Sequence, residues 1–180
     1  MTRLSISLCG PFQVTLDGQA VVSFEYNKVR ALLAYLVVEA DRAHHREVLA
    51  ELLWPGRPAR TSRGNLRKTL SILRRALGDE QGPQPFLITT RETVQFNPAS
   101  DYWLDVAAFV ACLQGDPEDE GRLDDLNRAA ELYGGPFLDQ FFLSDSVAFE
   151  EWQLNRRQWL HRQALETLST LAAHHEASRE

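Results

Sequence analysis

A basic segment with leucines at helical spacing constrains the fold most strongly. The stretch RPARTSRGNLRKTLSILRRALG, residues 57–78, carries seven basic side chains and no acidic one. At 100° per residue, its other leucines fall within about 40° of Leu66 and form one apolar stripe with it. These leucines are Leu66, Leu70, Leu73 and Leu77. The segment is therefore predicted to be an amphipathic helix that buries this stripe and directs a neighbouring row of arginines outward.

The basic segment belongs to a chain that is acidic overall. The 180 residues include 25 Asp+Glu and 19 Lys+Arg, a net charge of −6. Residues 1–98 hold 13 Lys+Arg and 9 Asp+Glu, whereas residues 99–180 hold 6 and 16. The first part has a net charge of +4 and the second of −10. This division predicts two domains, 1–98 and 99–180, with different partners.

The residues around the basic helix predict a winged helix-turn-helix with a leading sheet. Apolar and polar residues alternate near the N-terminus up to the turn Asp17-Gly18, which predicts an antiparallel sheet of three or four strands. Three segments with helical periodicity follow, the last of which spans about 59–77. FLITT and TVQFN then flank Arg91-Glu92 and predict a hairpin. The first domain is therefore predicted to be α+β.

The second half has a different pattern. Beyond Pro98 the strand signals stop, and three segments show helical periodicity up to the C-terminus. Paired amphipathic helices with a short Gly-Pro joint predict an all-α, tetratricopeptide-like domain. Helix pairs need a neighbour to cover their apolar faces. We therefore expect 99–180 to be the N-terminal part of a helical domain in a longer protein.

The outward face of the basic helix has the chemistry of a recognition helix. An arginine fork suits bidentate contacts to guanine edges and contacts to phosphate. Short polar side chains at the helix start can reach base edges or phosphates, namely Thr61, Ser62 and Asn65. The helix N-terminus itself favours an anion. A solvated surface face is the alternative for any basic helix. The outward arginines are Arg60, Arg63, Arg67 and Arg74.

Other functional classes find little support in the sequence. There is no GxxxxGK[ST], GxGxxG, HExxH or GxSxG motif and no nucleophile–base pair by spacing, so we predict no catalytic residues, no cofactor and no enzyme. Neighbouring helical residues point about 100° apart, so His44-His45 and His174-His175 are predicted to be surface residues and no metal site is expected. Without a signal peptide or a membrane-spanning run, a cytoplasmic location is expected.

Several segments resemble one known family. LSISLCGPFQVTLDGQAV, KVRALLAYLVVEADR, REVLAELLWPG and NLRKTLSILRRALG resemble the DNA-binding domain of the SARP-type activators, which is similar to the OmpR-type winged helix. LDVAAFVACL, LNRAAELYGGPFLDQF and FEEWQLNRRQWL resemble the bacterial transcriptional activator domain that follows it. The resemblance implies a regulator that binds double-stranded DNA at promoter repeats, as an activator that contacts RNA polymerase.

The resemblance also implies which residues face DNA. The groove-facing candidates are Arg60, Thr61, Arg63, Asn65, Arg67 and Lys68. Three other arginines are expected to meet phosphate or solvent, namely Arg57, Arg74 and Arg75. Thr90 and Arg91 lie at the hairpin tip, where a wing would touch the minor groove or backbone. Lys28 is a weaker phosphate candidate. The resemblance is also compatible with contacts to further domains of a longer protein and with a homodimer on DNA. The alternative is an adaptor module that binds proteins instead of DNA.

Overall fold

The computed structural model describes residues 3–79, 84–115 and 121–177, and its mixed α/β elements fall into two compact units. In chain order they are β1 (Leu4–Ser7), β2 (Gly10–Pro11), β3 (Gln13–Leu16), β4 (Gln19–Ala20), α1 (Asn27–Val38), β5 (His44–His45), α2 (Arg46–Leu53), α3 (Ala59–Ala76), β6 (Leu87–Thr89), β7 (Thr93–Phe96), β8 (Tyr102–Leu104), α4 (Asp105–Leu113), α5 (Arg122–Leu132), β9 (Phe137–Asp139) and α6 (Val147–Ala177). The first unit comprises Met1–Ser5, Gln13–Tyr102 and Phe142–Trp152, and the second comprises Ile6–Phe12, Trp103–Phe141 and Gln153–Glu180.

The first unit has the element order that the sequence predicts. α1, α2 and α3 precede the hairpin β6–β7. β3 and β4 pair in antiparallel fashion around Asp17 and Gly18, whose φ angles are 50° and 79°, as the predicted turn requires. A four-stranded sheet has the strand order β4-β3-β1-β8. α1 is buried over nearly its whole length, because it is apolar on all sides.

A two-residue strand that the sequence analysis does not predict, β5, extends the hairpin into a three-stranded sheet. The order is β5-β7-β6, with His44 opposite Val94 and His45 opposite Thr93. Successive side chains of a strand point to opposite faces, so His44 is buried and His45 is exposed. The His44 Nε2 lies 2.9 Å from the Glu39 carbonyl oxygen. The prediction of a surface residue is therefore wrong for His44.

Residues 142–152, far along the chain, pack within the first unit. The Lys28 Nζ lies 2.6 Å from the Asp145 Oδ2 and donates to the Leu53 carbonyl oxygen at 2.5 Å. The Trp152 Nε1 donates to the Glu39 Oε1 at 2.9 Å. The compact units thus do not follow the predicted division at residue 98, which stays a prediction.

The second unit is not purely helical. β9 pairs in parallel with β2, and α4 packs on α5. The prediction of an all-α second half is wrong, because β8 and β9 lie within it. Each of these strands has three residues, so neither is long enough for alternating apolar and polar residues to reveal it in the sequence. The buried Asp105 carboxylate accepts backbone N–H groups of Cys9 and Val106 at 2.8 and 2.7 Å. Burial raises the pKa of Asp105 in spite of these hydrogen bonds.

The two cysteines, Cys9 and Cys112, are free and buried. In the described part of the chain, no helix is long and apolar enough to cross a bilayer. Among the same residues, no three histidine, cysteine or acidic side chains are grouped as metal ligands.

Candidate nucleic-acid interface

The core face of α3 is the predicted leucine stripe. Leu66, Leu70, Leu73 and Leu77 are at most 5% exposed. Since α3 carries its apolar side chains on one face, packing that face in the first unit leaves the opposite face outward. The period of the sequence therefore sets which residues of α3 are accessible.

α3 ends in a Schellman motif. Leu77 is the C-cap and Gly78, with a φ of 63°, follows it in the left-handed conformation. The Asp79 N–H donates to the Arg74 carbonyl at 2.9 Å, and the Gly78 N–H donates to the Arg75 carbonyl at 3.2 Å. The glycine thus satisfies the last turn and stops the helix where the sequence predicts an end.

The outward face of α3 is basic. Arg60, Thr61, Arg67 and Lys68 are exposed, and Asn65 is half-buried. Among the described residues, Arg60, Arg67 and Lys68 make no ion pair. Pro58, the N-cap residue of α3, makes no side-chain cap hydrogen bond, and the Thr61 N–H donates to the Pro58 carbonyl at 2.8 Å. The face therefore combines cationic side chains with the positive end of a helix dipole.

Gly64 lies in the middle of this outward face, about 160° from Leu66 on a helical wheel. A Cβ added at Gly64 would meet no atom within 4 Å beyond its chain neighbours and the backbone of its own helix. Arg60, Arg67 and Lys68 lie three or four residues away and flank it on the helix surface. The absence of a side chain here has no cause in the packing of the described residues.

The hairpin tip lies beside the start of α2. The Arg46 N–H donates to the Glu92 carbonyl at 2.8 Å, and the Arg46 Nε donates to the Thr90 carbonyl at 3.1 Å. The Thr90 hydroxyl is 2.8 Å from that of Thr93 and accepts the Thr93 N–H at 2.9 Å. The Thr90 hydroxyl therefore shapes the turn, whereas Arg91 is exposed.

A cleft brings the hairpin tip together with α2 and α3. Its volume is about 520 Å³. The residues that line it are His45, Arg46, Glu47, Arg63, Leu66, Arg67, Arg91 and Glu92. The structure thus groups three predicted site residues, Arg63, Arg67 and Arg91, around one open cleft.

Arg63 differs from Arg60, Arg67 and Lys68 because it has a carboxylate partner. Its Nη2 is in close contact with the Glu47 Oε1 on the first turn of α2. The two side chains remain 59% and 73% exposed. Because the pair is open to solvent, it adds little to stability and leaves most of the guanidinium accessible.

Two predicted cations lie apart from the cleft. The Arg74 Nε lies 3.5 Å from the buried Asp79 Oδ2, an ion pair without hydrogen-bond geometry. Burial raises the pKa of Asp79, although the N–H of Phe86 and the charge of Arg74 act in the opposite direction. Lys28 is occupied by Asp145 and lies over the Trp54 ring at 5.2 Å. Arg74 and Lys28 are thus directed to groups of their own unit.

Sequence reasoning missed Glu47, Arg46 and Asp79. Glu47 is the acidic residue of the first turn of α2, a position that the helix dipole favours. That signal was available in REVLAELL, but it does not say which cation the carboxylate meets. Asp79 is a single carboxylate after a helix-ending glycine, with no pattern that marks it as buried.

Comparisons with known proteins identify regulators of transcription. No family model matches the chain. Over 76 residues, 42% of this chain and 19% of the relative, it is 38% identical to the transcriptional regulatory protein EmbR of Mycobacterium tuberculosis and of Mycobacterium bovis. The solved structure of Mycobacterium tuberculosis EmbR in complex with a low-affinity phosphopeptide matches with a TM-score of 0.71 and 26% identity, over 96% of this chain and 45% of that chain.

The chain therefore spans less than half the length of that solved chain, and the sequence match spans about a fifth of the curated relatives. The relatives are transcriptional regulators and not enzymes, which agrees with the prediction that the chain is no enzyme. They confirm the predicted resemblance to the SARP-type regulators.

Proposed function

We propose that this SARP-type chain is a sequence-specific, DNA-binding transcriptional regulator. α3 is the recognition helix that enters the major groove, and the hairpin β6–β7 is the wing. The observation that carries the proposal is the outward face of α3, on which Arg60, Arg67 and Lys68 are exposed and, among the described residues, lack carboxylate partners. Leaving cations unpaired on one face is favourable when the partner is a polyanion.

The arrangement supports a division of labour among the site residues. Arg67 and Arg91 line the cleft between α3 and the hairpin tip, where they can contact the two sides of a groove. Arg60, Thr61 and Lys68 are exposed between the start and the middle of α3, where recognition helices contact bases and phosphates. Arg63 and Asn65 complete the groove-facing set. Thr90 orients the hairpin tip through its hydrogen bonds to Thr93. Arg74 pairs with Asp79 at the end of α3.

The finer parts of the proposal concern the whole regulator. Residues 1–98 form the winged-helix domain, and 99–180 form the N-terminal part of a bacterial transcriptional activator domain with tetratricopeptide-like helices. The regulator binds promoter repeats as an activator and contacts RNA polymerase, with two copies side by side on DNA. Further domains of a longer protein would join the helical part. The match to EmbR, a transcriptional regulatory protein, supports a role in transcriptional regulation by analogy.

The salt dependence of DNA binding tests the proposal. Fluorescence anisotropy with a labelled duplex, at several salt concentrations, gives the slope of log affinity against log salt. Four to six neutralised phosphates predict a slope near −4 to −5. The adaptor alternative is favoured by the acidic second half, which repels phosphate. It predicts weak binding to DNA with an affinity that does not depend on salt. A flat response for the native chain would reject the proposed function.

A matched pair of substitutions locates the binding face. Arg67→Ala should reduce the magnitude of the salt slope by about 1 if Arg67 meets a phosphate. Arg162→Ala removes the same charge from the exposed surface of α6 and should leave the slope unchanged. Equal effects of the two substitutions would show that net charge, and not the α3 face, governs binding.

A further inference from the structure

Glu47, whose carboxylate contacts Arg63 on α3, has a backbone position that is well defined by the fold. Glu47 follows β5 by one residue, and the register of β5 with β7 places His45 opposite Thr93. The Arg46 N–H, one residue away, donates to the Glu92 carbonyl at 2.8 Å. The backbone at Glu47 is thus held by the sheet that also carries the hairpin tip.

This carboxylate changes what Arg63 can contact. A phosphate that approached Arg63 would also approach Glu47, because the two side chains touch. Like charges at such distances repel, so Glu47 opposes a phosphate contact at this arginine. The bases present no net charge and offer acceptors, so the same carboxylate does not oppose a base contact.

The guanidinium keeps enough donors for a base. Arginine has five N–H donors in a planar fork, and one Nη2 hydrogen is sufficient for the Glu47 Oε1. The remaining donors on Nη1, Nη2 and Nε can meet the O6 and N7 acceptors of guanine in bidentate fashion. Holding the fork from one side fixes its plane and reduces the rotamer freedom lost on binding.

We infer that Glu47 is a specificity-determining positioning residue, which holds Arg63 for a base contact and keeps it from a phosphate contact. The inference rests on the proposed function. Arg60, Arg67 and Lys68, which lack such a partner among the described residues, supply affinity for any duplex, whereas the Glu47–Arg63 pair supplies preference for guanine at one base pair. Glu47 lowers overall affinity through its charge and raises discrimination.

Selection of sequences from a 30-base-pair duplex library with a randomised centre tests this inference. The 180-residue chain, Arg63→Ala, Glu47→Gln and Glu92→Gln are each used in selection, and their base preferences are compared position by position. Glu92 is the matched control, since it lines the same cleft and is exposed, and Glu92→Gln makes the same charge change without touching Arg63.

Arg63→Ala is expected to remove a guanine preference of about five- to 150-fold at one position, the discrimination of a bidentate contact. Glu47→Gln should lower the preference at that same position by about fivefold or more, because a charge pair gains strength where an interface excludes water. Glu92→Gln should tighten binding to all sequences alike. Thermal unfolding measures whether each variant is folded. We expect all three to fold, because the substituted side chains are exposed.

The outcomes separate the inference from the proposed function. If the native chain selects no sequence and binds no duplex, the proposed function fails. If it selects a sequence and Arg63→Ala leaves every preference unchanged, the inference fails while the function stands. The inference also fails if Glu47→Gln matches the native preferences, or if Glu92→Gln lowers the same guanine preference to the same extent.

Discussion

Gly64 offers a substitution that should raise stability and weaken DNA binding at the same time. It is an interior residue of α3, where glycine costs about 1 kcal/mol relative to alanine. Beyond its chain neighbours and the backbone of its own helix, a Cβ at this position meets no atom within 4 Å, so no clash offsets the gain. Gly64→Ala should therefore increase the free energy of unfolding by about 1 kcal/mol, which raises Tm by about 3 °C in a chain of this length.

The effect on DNA should have the opposite sign. Gly64 lies between Arg60, Arg67 and Lys68 on the outward face, so its missing side chain allows the helix backbone to approach a duplex closely. Adding a methyl group to a closely packed contact costs about 1–3 kcal/mol, which corresponds to a loss of about five- to 150-fold in affinity. Gly64→Leu should weaken binding further.

Calorimetry and fluorescence anisotropy with a selected duplex measure the two effects on the same samples. Gly78→Ala is the matched control, because Gly78 has a φ of 63° at the end of the same helix and alanine there costs about 1–2 kcal/mol. That control should lower Tm and leave DNA affinity unchanged. A Gly64→Ala variant with higher Tm and unaltered affinity would refute the close approach of this face, and a lower Tm would refute the stability argument.

Four further substitutions test the packing that supports the site. Leu66→Ala should destabilise the chain by about 2–5 kcal/mol in urea unfolding, since Leu66 is 1% exposed in the core; a change below 0.5 kcal/mol would contradict its burial. Lys28→Met should cost about 1–2 kcal/mol, more than Asp145→Asn, because only the first change leaves the Leu53 carbonyl without its donor; equal costs would argue against that hydrogen bond. Burial raises the pKa of Asp79, so the contribution of this group to stability is greatest below its unfolded pKa and is lost as pH rises through the folded pKa. As the pH rises from 4 to 7, the native chain should thus lose free energy of unfolding relative to Asp79→Asn. Urea titrations in which the native chain instead gains stability over the variant would contradict burial as the cause of the raised pKa.

The parts of the fold that repeat a period could be predicted from the sequence. The leucine stripe and the glycine after it predicted α3 to within one residue, and the turn at Asp17-Gly18 predicted the hairpin β3–β4. Side-chain periodicity is a local property, so a window of 10 to 20 residues is enough to reveal it. The basic face of α3 followed from the same window.

The parts that depend on contacts far apart in the chain could not be predicted. β5 has two residues and forms because β7 lies beside it, so the approach of Arg91 to Arg63 and Arg67 was not visible in the sequence. Glu47 shows the same limit for the site. A single carboxylate forms no periodic pattern that would mark it in the sequence. Its partner, Arg63, lies 16 residues further along the chain.

The return of residues 142–152 to the first unit has a consequence for how such a regulator can be divided. Lys28, Glu39 and Leu52 obtain partners from Asp145, Trp152 and Ser146. A fragment that ends at residue 98 would lack those partners. The segments 1–98 and 99–180 are consequently poor units for domain exchange. Fusion proteins should not be joined at residue 98, the boundary that the charge distribution indicates, because residues 142–152 belong to the first unit.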